Sequence, residues 1–133
     1  MVKDEWGTQL IRSWNSAGWI DLPQHRYTIL LNGVTEICMT KIDVLNIFPE
    51  IKAATQYRYG GREHQNLPFD LCHVDVEPVF KSYPGWNTSL DAATTFDQLP
   101  LEAKEYLQDL EQYLGVPVKM ISTGPEREKL IVR

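Results

Sequence analysis

Residues 36–45, EICMTKIDVL, contain a change from an apolar run to a charged segment, and the prediction of the fold starts from this change. A short apolar run ends abruptly in Thr40-Lys41-x-Asp43, and apolar residues then resume. A short apolar run with a turn signal before it and charge after it is typical of a buried strand, so we predict one over residues 35–40. In open α/β sheets, ligands bind just beyond the carboxyl ends of strands. Lys41 and Asp43 therefore lie where a ligand-binding site is expected.

The segments on either side of this strand predict an α/β fold, with a mixed β-sheet, flanking helices and a β-hairpin. Residues 1–17 show weak periodicity and are predicted to be a loop or arm, whereas residues 18–133 are predicted to form one domain. The remaining elements follow from caps, turn signals and periodicity. They are a helix from Pro23 to the Asn32-Gly33 cap, a hairpin over 51–69 that turns at Gly60-Gly61, a strand from 74 to the turn at Tyr83-Pro84-Gly85, a helix over 97–115, and strands over 116–123 and 129–133.

The apolar pattern within these elements predicts which side chains are buried. Both helices are expected to pack through their apolar residues, and the acidic residues of the second helix are expected to face solvent. The packed residues are Tyr27, Ile29, Leu30 and Leu31 in the first helix and Ala103, Tyr106, Leu107, Leu110 and Leu114 in the second; the solvated residues are Glu102, Glu105, Asp109 and Glu111. We also predict that Cys38 and Cys72 are reduced core thiols, that Asp21 caps the first helix and that Trp86 is a packing anchor.

Composition limits the class of protein. The chain has 133 residues, of which 43% are hydrophobic, so it can build a core without disulfides or metals. Its net charge of -5 argues against nucleic acid as the main partner, because phosphate binding needs a basic face. No apolar run reaches the length of a membrane span, and the acidic start MVKDEWGTQL is unlike a signal peptide. The expectation is a soluble cytoplasmic protein without a membrane partner.

Two strand exits carry the chemistry of the predicted site. A carboxylate at Asp43 can accept two parallel hydrogen bonds from a ring N–H and an exocyclic amine, a donor pair that guanine presents and adenine does not. The stem of Lys41 can lie along the base, with its charge supporting the aspartate. Ser122-Thr123-Gly124-Pro125 also follows a predicted strand, and the N–H groups of such a turn can contact a base carbonyl oxygen. The two exits together predict a purine slot, although each taken alone is also typical of a solvated strand exit or an ordinary turn.

Several motifs resemble the C-terminal third of the adenylosuccinate synthetase family over residues 18–133. The family patterns are Gly-Trp-Leu/Ile-Asp, Thr-Lys-x-Asp-Val-Leu, Pro-Gly-Trp and Ser-Thr-Gly-Pro-[Asp/Glu]-Arg, and they occur here in the family's order. The matching stretches are GWIDLP at 18–23, LNGVTEICMTKIDVL at 31–45, YPGW at 83–86, LGVPVKMISTGPERE at 114–128 and LIVR at 130–133.

The resemblance implies a fold and a set of ligands. It implies the C-terminal portion of a P-loop-like, GTP-dependent ligase that joins IMP and L-aspartate into adenylosuccinate during purine biosynthesis, in the cytoplasm and as a homodimer. The guanine of GTP would be held by Lys41, Asp43, Ser122, Gly124 and Pro125. In the family, the Mg²⁺ ligands and most of the IMP-binding residues lie in parts of the enzyme that this chain does not match, so IMP and aspartate are implied as partners only of the full-length enzyme.

The chain also departs from the family. It contains no G-x-x-x-x-G-K-[ST] motif, catalytic residues are not identified, and the spacing of Cys38, Cys72 and His73 fits no zinc pattern. Residues 12–16 carry only Arg12 where the family has the arginine-rich Thr-Thr-Gly-Arg-x-Arg-Arg loop, so aspartate binding is not predicted here. We expect these residues alone to be catalytically inactive. The alternative is a stand-alone, non-catalytic domain that binds guanine nucleotides weakly or interacts with a protein.

Overall fold

The structure, a computed structural model, describes residues 18–133. The predicted arm over 1–17, including the arginine-poor segment at 12–16, lies outside the described residues. The elements are β1 (Ile20–Asp21), α1 (Leu22–Asn32), β2 (Ile37–Met39), a 3-10 helix (Ile42–Ile47), β3 (Glu50–Tyr59), β4 (Arg62–His64), β5 (Glu77–Pro84), a 3-10 turn (Phe96–Gln98), α2 (Leu101–Leu114), β6 (Val118–Ser122), a second 3-10 turn (Arg127–Lys129) and β7 (Leu130–Val132). The mixed α/β class is confirmed, with two sheets in place of one.

The chain divides into two compact units, and the single domain predicted for 18–133 stays a prediction. The first unit includes residues 18–24 and 52–81, where β1 pairs in parallel with β3, and β4 and β5 also pair with β3. The predicted hairpin is confirmed, since Gly60 and Gly61 connect β3 to β4 with φ values of 58° and 74°. Both values lie in the left-handed region that a two-residue hairpin turn requires.

A buried tyrosine and an aspartate organise the interior of this first unit. Tyr57 is fully buried and donates a hydrogen bond of 2.5 Å to Asp21 Oδ1. Burial, followed by that hydrogen bond, raises the pKa of Tyr57 well above its usual value. Asp21 also accepts the Gln24 N–H at 3.0 Å, which confirms its predicted role as a cap of α1.

The second unit, residues 25–51 and 82–133, contains the three-stranded sheet β2-β6-β7. Strand β6 is central, parallel to β2 and antiparallel to β7. The apolar stripe of α2 is buried as predicted, and Gly115 ends the helix with a left-handed φ of 74°. The buried side chains of the sheet and of the 3-10 helix over 42–47 are Ile42, Val118, Ile121 and Ile131.

Three predictions about burial are wrong. Strand β2 is not a buried strand, because it lies at the edge of its sheet, with Cys38 exposed and its neighbours half-buried. Cys38 and Cys72 are free cysteines, but both are exposed and neither is a core thiol. Helix α1 forms where predicted, yet Tyr27, Leu30 and Leu31 are 54%, 75% and 66% exposed. A helical pattern predicts the helix but not the presence of a surface that covers it.

The solvated acidic face predicted for α2 is also wrong in part. Asp109 accepts a hydrogen bond from the hydroxyl of Tyr83. Glu111 Oε1 accepts the Val118 N–H at 2.7 Å and lies 2.6 Å from Arg133 Nη1. These carboxylates therefore connect α2 to other elements of its unit. Among the helices described here, none is long and apolar enough to cross a membrane.

Candidate functional site at two parallel strand ends

The register of β2 and β6 brings the two predicted strand exits to the same edge of the sheet. The strands are parallel, and Cys38 pairs with Met120 while Met39 pairs with Ile121. Neighbouring strands lie about 4.8 Å apart, so Thr40, which follows β2, lies beside Ser122, the last residue of β6. The 3-10 helix over 42–47 also contacts β6. The two segments predicted to form a slot are therefore adjacent, although they are far apart in sequence.

Lys41 occupies a sparsely populated backbone conformation at this edge. Its φ of 58° and ψ of 31° are left-handed, which costs a residue with a side chain about 1–2 kcal/mol. The strained residue begins the 3-10 helix, and its carbonyl accepts the Val44 N–H at 3.2 Å. The sharp turn places Asp43 in the first turn of that helix, immediately after the strand. Backbone strain of this kind clusters at ligand sites and switches.

Asp43 carries a carboxylate that the described part of the chain does not use. The residue is half-buried, yet within residues 18–133 no hydrogen bond or ion pair engages its side chain. Those same residues contain no buried polar side-chain atom without a partner, so the Asp43 oxygens remain accessible. The neighbouring Ile42 is 1% exposed and anchors the segment. Asp43 is thus held in place by its backbone while its acceptor capacity stays unfilled.

The segment that carries Asp43 is supported by the Pro-Gly-Trp motif. Trp86 is buried, and its Nε1 donates a hydrogen bond of 2.7 Å to Asn46 Oδ1, which confirms it as a packing anchor. The Gly85 N–H donates to the Pro49 carbonyl at 2.9 Å. A Cβ added at Gly85 would lie 1.9 Å from the Phe48 carbonyl oxygen, so only glycine fits there. Sequence reasoning missed Asn46 and Gly85 as supports, because their partners lie about forty positions away.

The 122–125 turn is closed by hydrogen bonds of its own. Ser122 Oγ donates to the Gly124 carbonyl at 2.8 Å. Thr123 is fully buried, and both its N–H and its hydroxyl donate to the Lys129 carbonyl, at 2.8 Å and 3.2 Å. Pro125 is exposed at the end of the turn. Thr123 and Lys129 were not predicted as functional residues, since a bond from the turn to a residue six positions later has no local sequence signal.

All five predicted site residues lie in the second unit at this edge of the sheet, and their roles toward a ligand stay predictions. A separate cavity of about 550 Å³, lined by the C-terminal ends of α1 and α2, includes none of them. In residues 18–133, no group of three or more His, Cys, Asp or Glu side chains is placed to hold a metal ion. The strand-end edge is the candidate site because two strand exits meet there and Asp43 carries a carboxylate that has no partner in the described residues.

Comparisons with known proteins agree with the motifs. The family model described as adenylosuccinate synthetase matches residues 2–131, which extends the resemblance over nearly the whole chain. The adenylosuccinate synthetase of Flavobacterium johnsoniae is 39% identical over 132 residues, covering 99% of this chain and 31% of that protein. The enzyme of Porphyromonas gingivalis is 46% identical over 116 residues, covering 87% of this chain and 27% of that protein.

A solved structure is also similar. The fully ligated adenylosuccinate synthetase from Plasmodium falciparum matches with a TM-score of 0.81 and 31% identity, covering 87% of this chain and 28% of that one. The chain thus spans about 30% of the length of the relatives it matches. Because the family model covers nearly every residue and the fold agrees, the chain belongs to the adenylosuccinate synthetase family.

Proposed function

We propose that this chain supplies the guanine-binding part of an adenylosuccinate synthetase, the Mg²⁺-requiring ligase that uses GTP to join IMP and L-aspartate. The observation that carries the proposal is the parallel register of β2 and β6, which puts the exits of the two family motifs side by side. A base can bind against both segments just beyond these exits, because ligands of α/β proteins bind at the carboxyl ends of strands.

Each wall of the proposed slot has a distinct chemical role. Asp43, with its unfilled carboxylate, accepts the N1–H and the 2-amino group of guanine. The turn supplies a donor: in the described part of the chain, the Gly124 N–H makes no hydrogen bond and can donate to the 6-carbonyl oxygen of the base. Lys41 is exposed and makes no ion pair with Asp43 in the described residues, so its proposed role is to support the carboxylate through its charge at longer range. Adenine presents an acceptor and an amine in place of these groups, so it would leave Asp43 and Gly124 unpaired.

The phosphates, IMP, aspartate and Mg²⁺ are assigned to other parts of the enzyme. The 133 residues contain no G-x-x-x-x-G-K-[ST] motif, and such a loop is what normally cradles nucleotide phosphates. Phosphoryl transfer depends on positioning and neutralising those phosphates. We therefore expect this chain alone to bind guanine compounds only weakly, with a binding free energy no better than about -5 kcal/mol, and to give no turnover.

Titrations with guanosine, GDP, GTP and ATP, followed by protein NMR because the affinities are low, test the proposal. We expect guanosine, GDP and GTP to shift the signals of residues 40–43 and 122–125, with similar affinities because phosphate contacts are absent. Equal binding of ATP would contradict the assignment of the base. Product formed by this chain alone from IMP, aspartate and GTP would contradict the assignment of phosphate binding and catalysis to other parts of the enzyme.

Mixing this chain with the remaining part of the Flavobacterium johnsoniae relative tests its place in the enzyme. Turnover restored by the mixture, and lost when the chain carries Asp43→Asn, is the expected result. Guanine binding without any restored turnover would favour the stand-alone, non-catalytic domain instead.

A further inference from the structure

Lys129 closes the 122–125 turn through its backbone. Its carbonyl oxygen accepts both the N–H and the hydroxyl of Thr123, at 2.8 Å and 3.2 Å. Thr123 is fully buried, so neither donor has water as an alternative partner. The Lys129 N–H in turn donates to the Glu126 carbonyl at 3.0 Å. The loop that follows Gly124 is therefore pinned at its far end by Lys129.

The aliphatic stem of the same lysine lies over Gly124. A Cβ added at Gly124 would stand 3.1 Å from Lys129 Cγ and 3.4 Å from Lys129 Cβ. Gly124 is not among the residues with a positive φ, so its backbone conformation does not demand glycine. The glycine instead allows the lysine stem to approach the peptide closely. The position of the Gly124 peptide is consequently tied to the position of that stem.

The ammonium group at the end of the stem has a fixed anchor. Lys129 Nζ donates a short hydrogen bond of 2.6 Å to the Asp91 carbonyl oxygen. That carbonyl lies in a loop with hydrogen bonds of its own, because Ser89 Oγ donates to Asp91 Oδ2 at 2.7 Å and accepts the Asp91 N–H at 3.2 Å. The intervening Leu90 is only 1% exposed. The Lys129 side chain therefore connects the hydrogen-bonded loop at Ser89–Asp91 to the glycine of the turn.

We propose that Lys129 is a positioning residue, a strut that holds the Gly124 peptide at the distance from Asp43 that a guanine base requires. This inference rests on the proposed function, because the free Gly124 N–H is the donor assigned to the base carbonyl. A hydrogen bond weakens steeply when its angle or distance changes, so a donor on an unsupported turn would be aimed poorly. Lys129 does not touch the base; it fixes the group that does.

Binding of guanosine by Lys129→Ala and Lys129→Arg variants tests the strut. Alanine removes both the stem and the ammonium, and we expect guanosine affinity to fall about tenfold, the usual effect of one mispositioned hydrogen bond. Arginine keeps a stem and a charged donor for the Asp91 carbonyl and should restore most of the affinity. The matched control is Lys104→Ala, since Lys104 Nζ makes the same type of bond, 3.1 Å long, to the Asp97 carbonyl. This control should bind like the unaltered chain.

Hydrogen exchange gives a readout that needs no ligand. In Lys129→Ala, the Thr123 amide should exchange about tenfold faster while the amide of Leu107, in the buried stripe of α2, keeps its rate. Absence of guanosine binding by the unaltered chain would refute the proposed function and the ligand named here. Unchanged Thr123 exchange in Lys129→Ala, or equal loss of affinity in Lys104→Ala, would overturn the strut alone.

Discussion

Replacing Asp43 by asparagine separates base recognition from folding. The two side chains have nearly the same shape, and the Asp43 carboxylate has no hydrogen-bond or ion-pair partner within residues 18–133. The substitution therefore breaks no contact that supports the fold, and the free energy of unfolding should stay within about 0.5 kcal/mol of the original.

The effect on binding should be much larger. A hydrogen bond to a charged group contributes about 1.5–3 kcal/mol, and Asp43 is assigned two of them. Asparagine keeps one acceptor but points its own amide donor at a donor of guanine. We expect a loss of about 2–3 kcal/mol, which is about 30- to 150-fold in guanosine affinity.

The same substitution should create a new preference. Xanthine presents a ring N–H beside a carbonyl oxygen, and the asparagine amide offers the matching acceptor and donor. Since a large loss of an already weak affinity is hard to quantify, the gain of xanthosine binding is the decisive measurement.

NMR titrations of the original and variant chains with guanosine and xanthosine measure both effects. The control is Asp75→Asn, which removes an exposed carboxylate that is likewise without a partner in the described residues, in the other compact unit. The assignment of Asp43 as the residue that recognises the base would be refuted by unchanged guanosine affinity in Asp43→Asn. It would also be refuted by a loss of guanosine binding without any gain of xanthosine binding.

Three further predictions concern stability. Gly85→Ala should lower the free energy of unfolding by about 3 kcal/mol in a denaturant titration, because the new Cβ would lie 1.9 Å from the carbonyl oxygen of Phe48; an unchanged midpoint would contradict the close approach. Burial and the hydrogen bond to Asp109 raise the pKa of Tyr83. Its contribution to the free energy of unfolding is therefore complete below about pH 10 and is lost as the pH rises above that value, because Tyr83 ionises first in the unfolded chain. Unfolding followed between pH 8 and pH 11 should therefore show a shallower alkaline loss in Tyr83→Phe than in the original, whereas equal slopes would argue against this coupling. Leu110→Ala, at a fully buried position, should cost about 2–5 kcal/mol, and a loss below 1 kcal/mol would show that α2 is packed more loosely than described.

Much of the candidate site could be predicted from sequence because its motifs are local. Thr40-Lys41-x-Asp43 and the 122–125 turn each follow a strand, and both strands form where predicted. The adjacency of these strands needed the tertiary structure, since only the parallel register of β2 and β6 brings the two exits together. The supports of the site, such as Lys129 on Gly124, were also not predictable, because they connect loops that no periodic pattern links.

The sequence by itself determined the elements whose signals repeat within a few residues. The buried stripe of α2 follows the helical period, and the turn between β3 and β4 follows from Gly60-Gly61. The ordered motifs likewise determined the family. Only the tertiary structure decided what covers each surface: it left Tyr27 and Leu30 exposed on a well-formed helix and put β2 at a sheet edge. The physical reason is range, because backbone preference acts between neighbours along the chain, whereas burial depends on segments that meet only after folding.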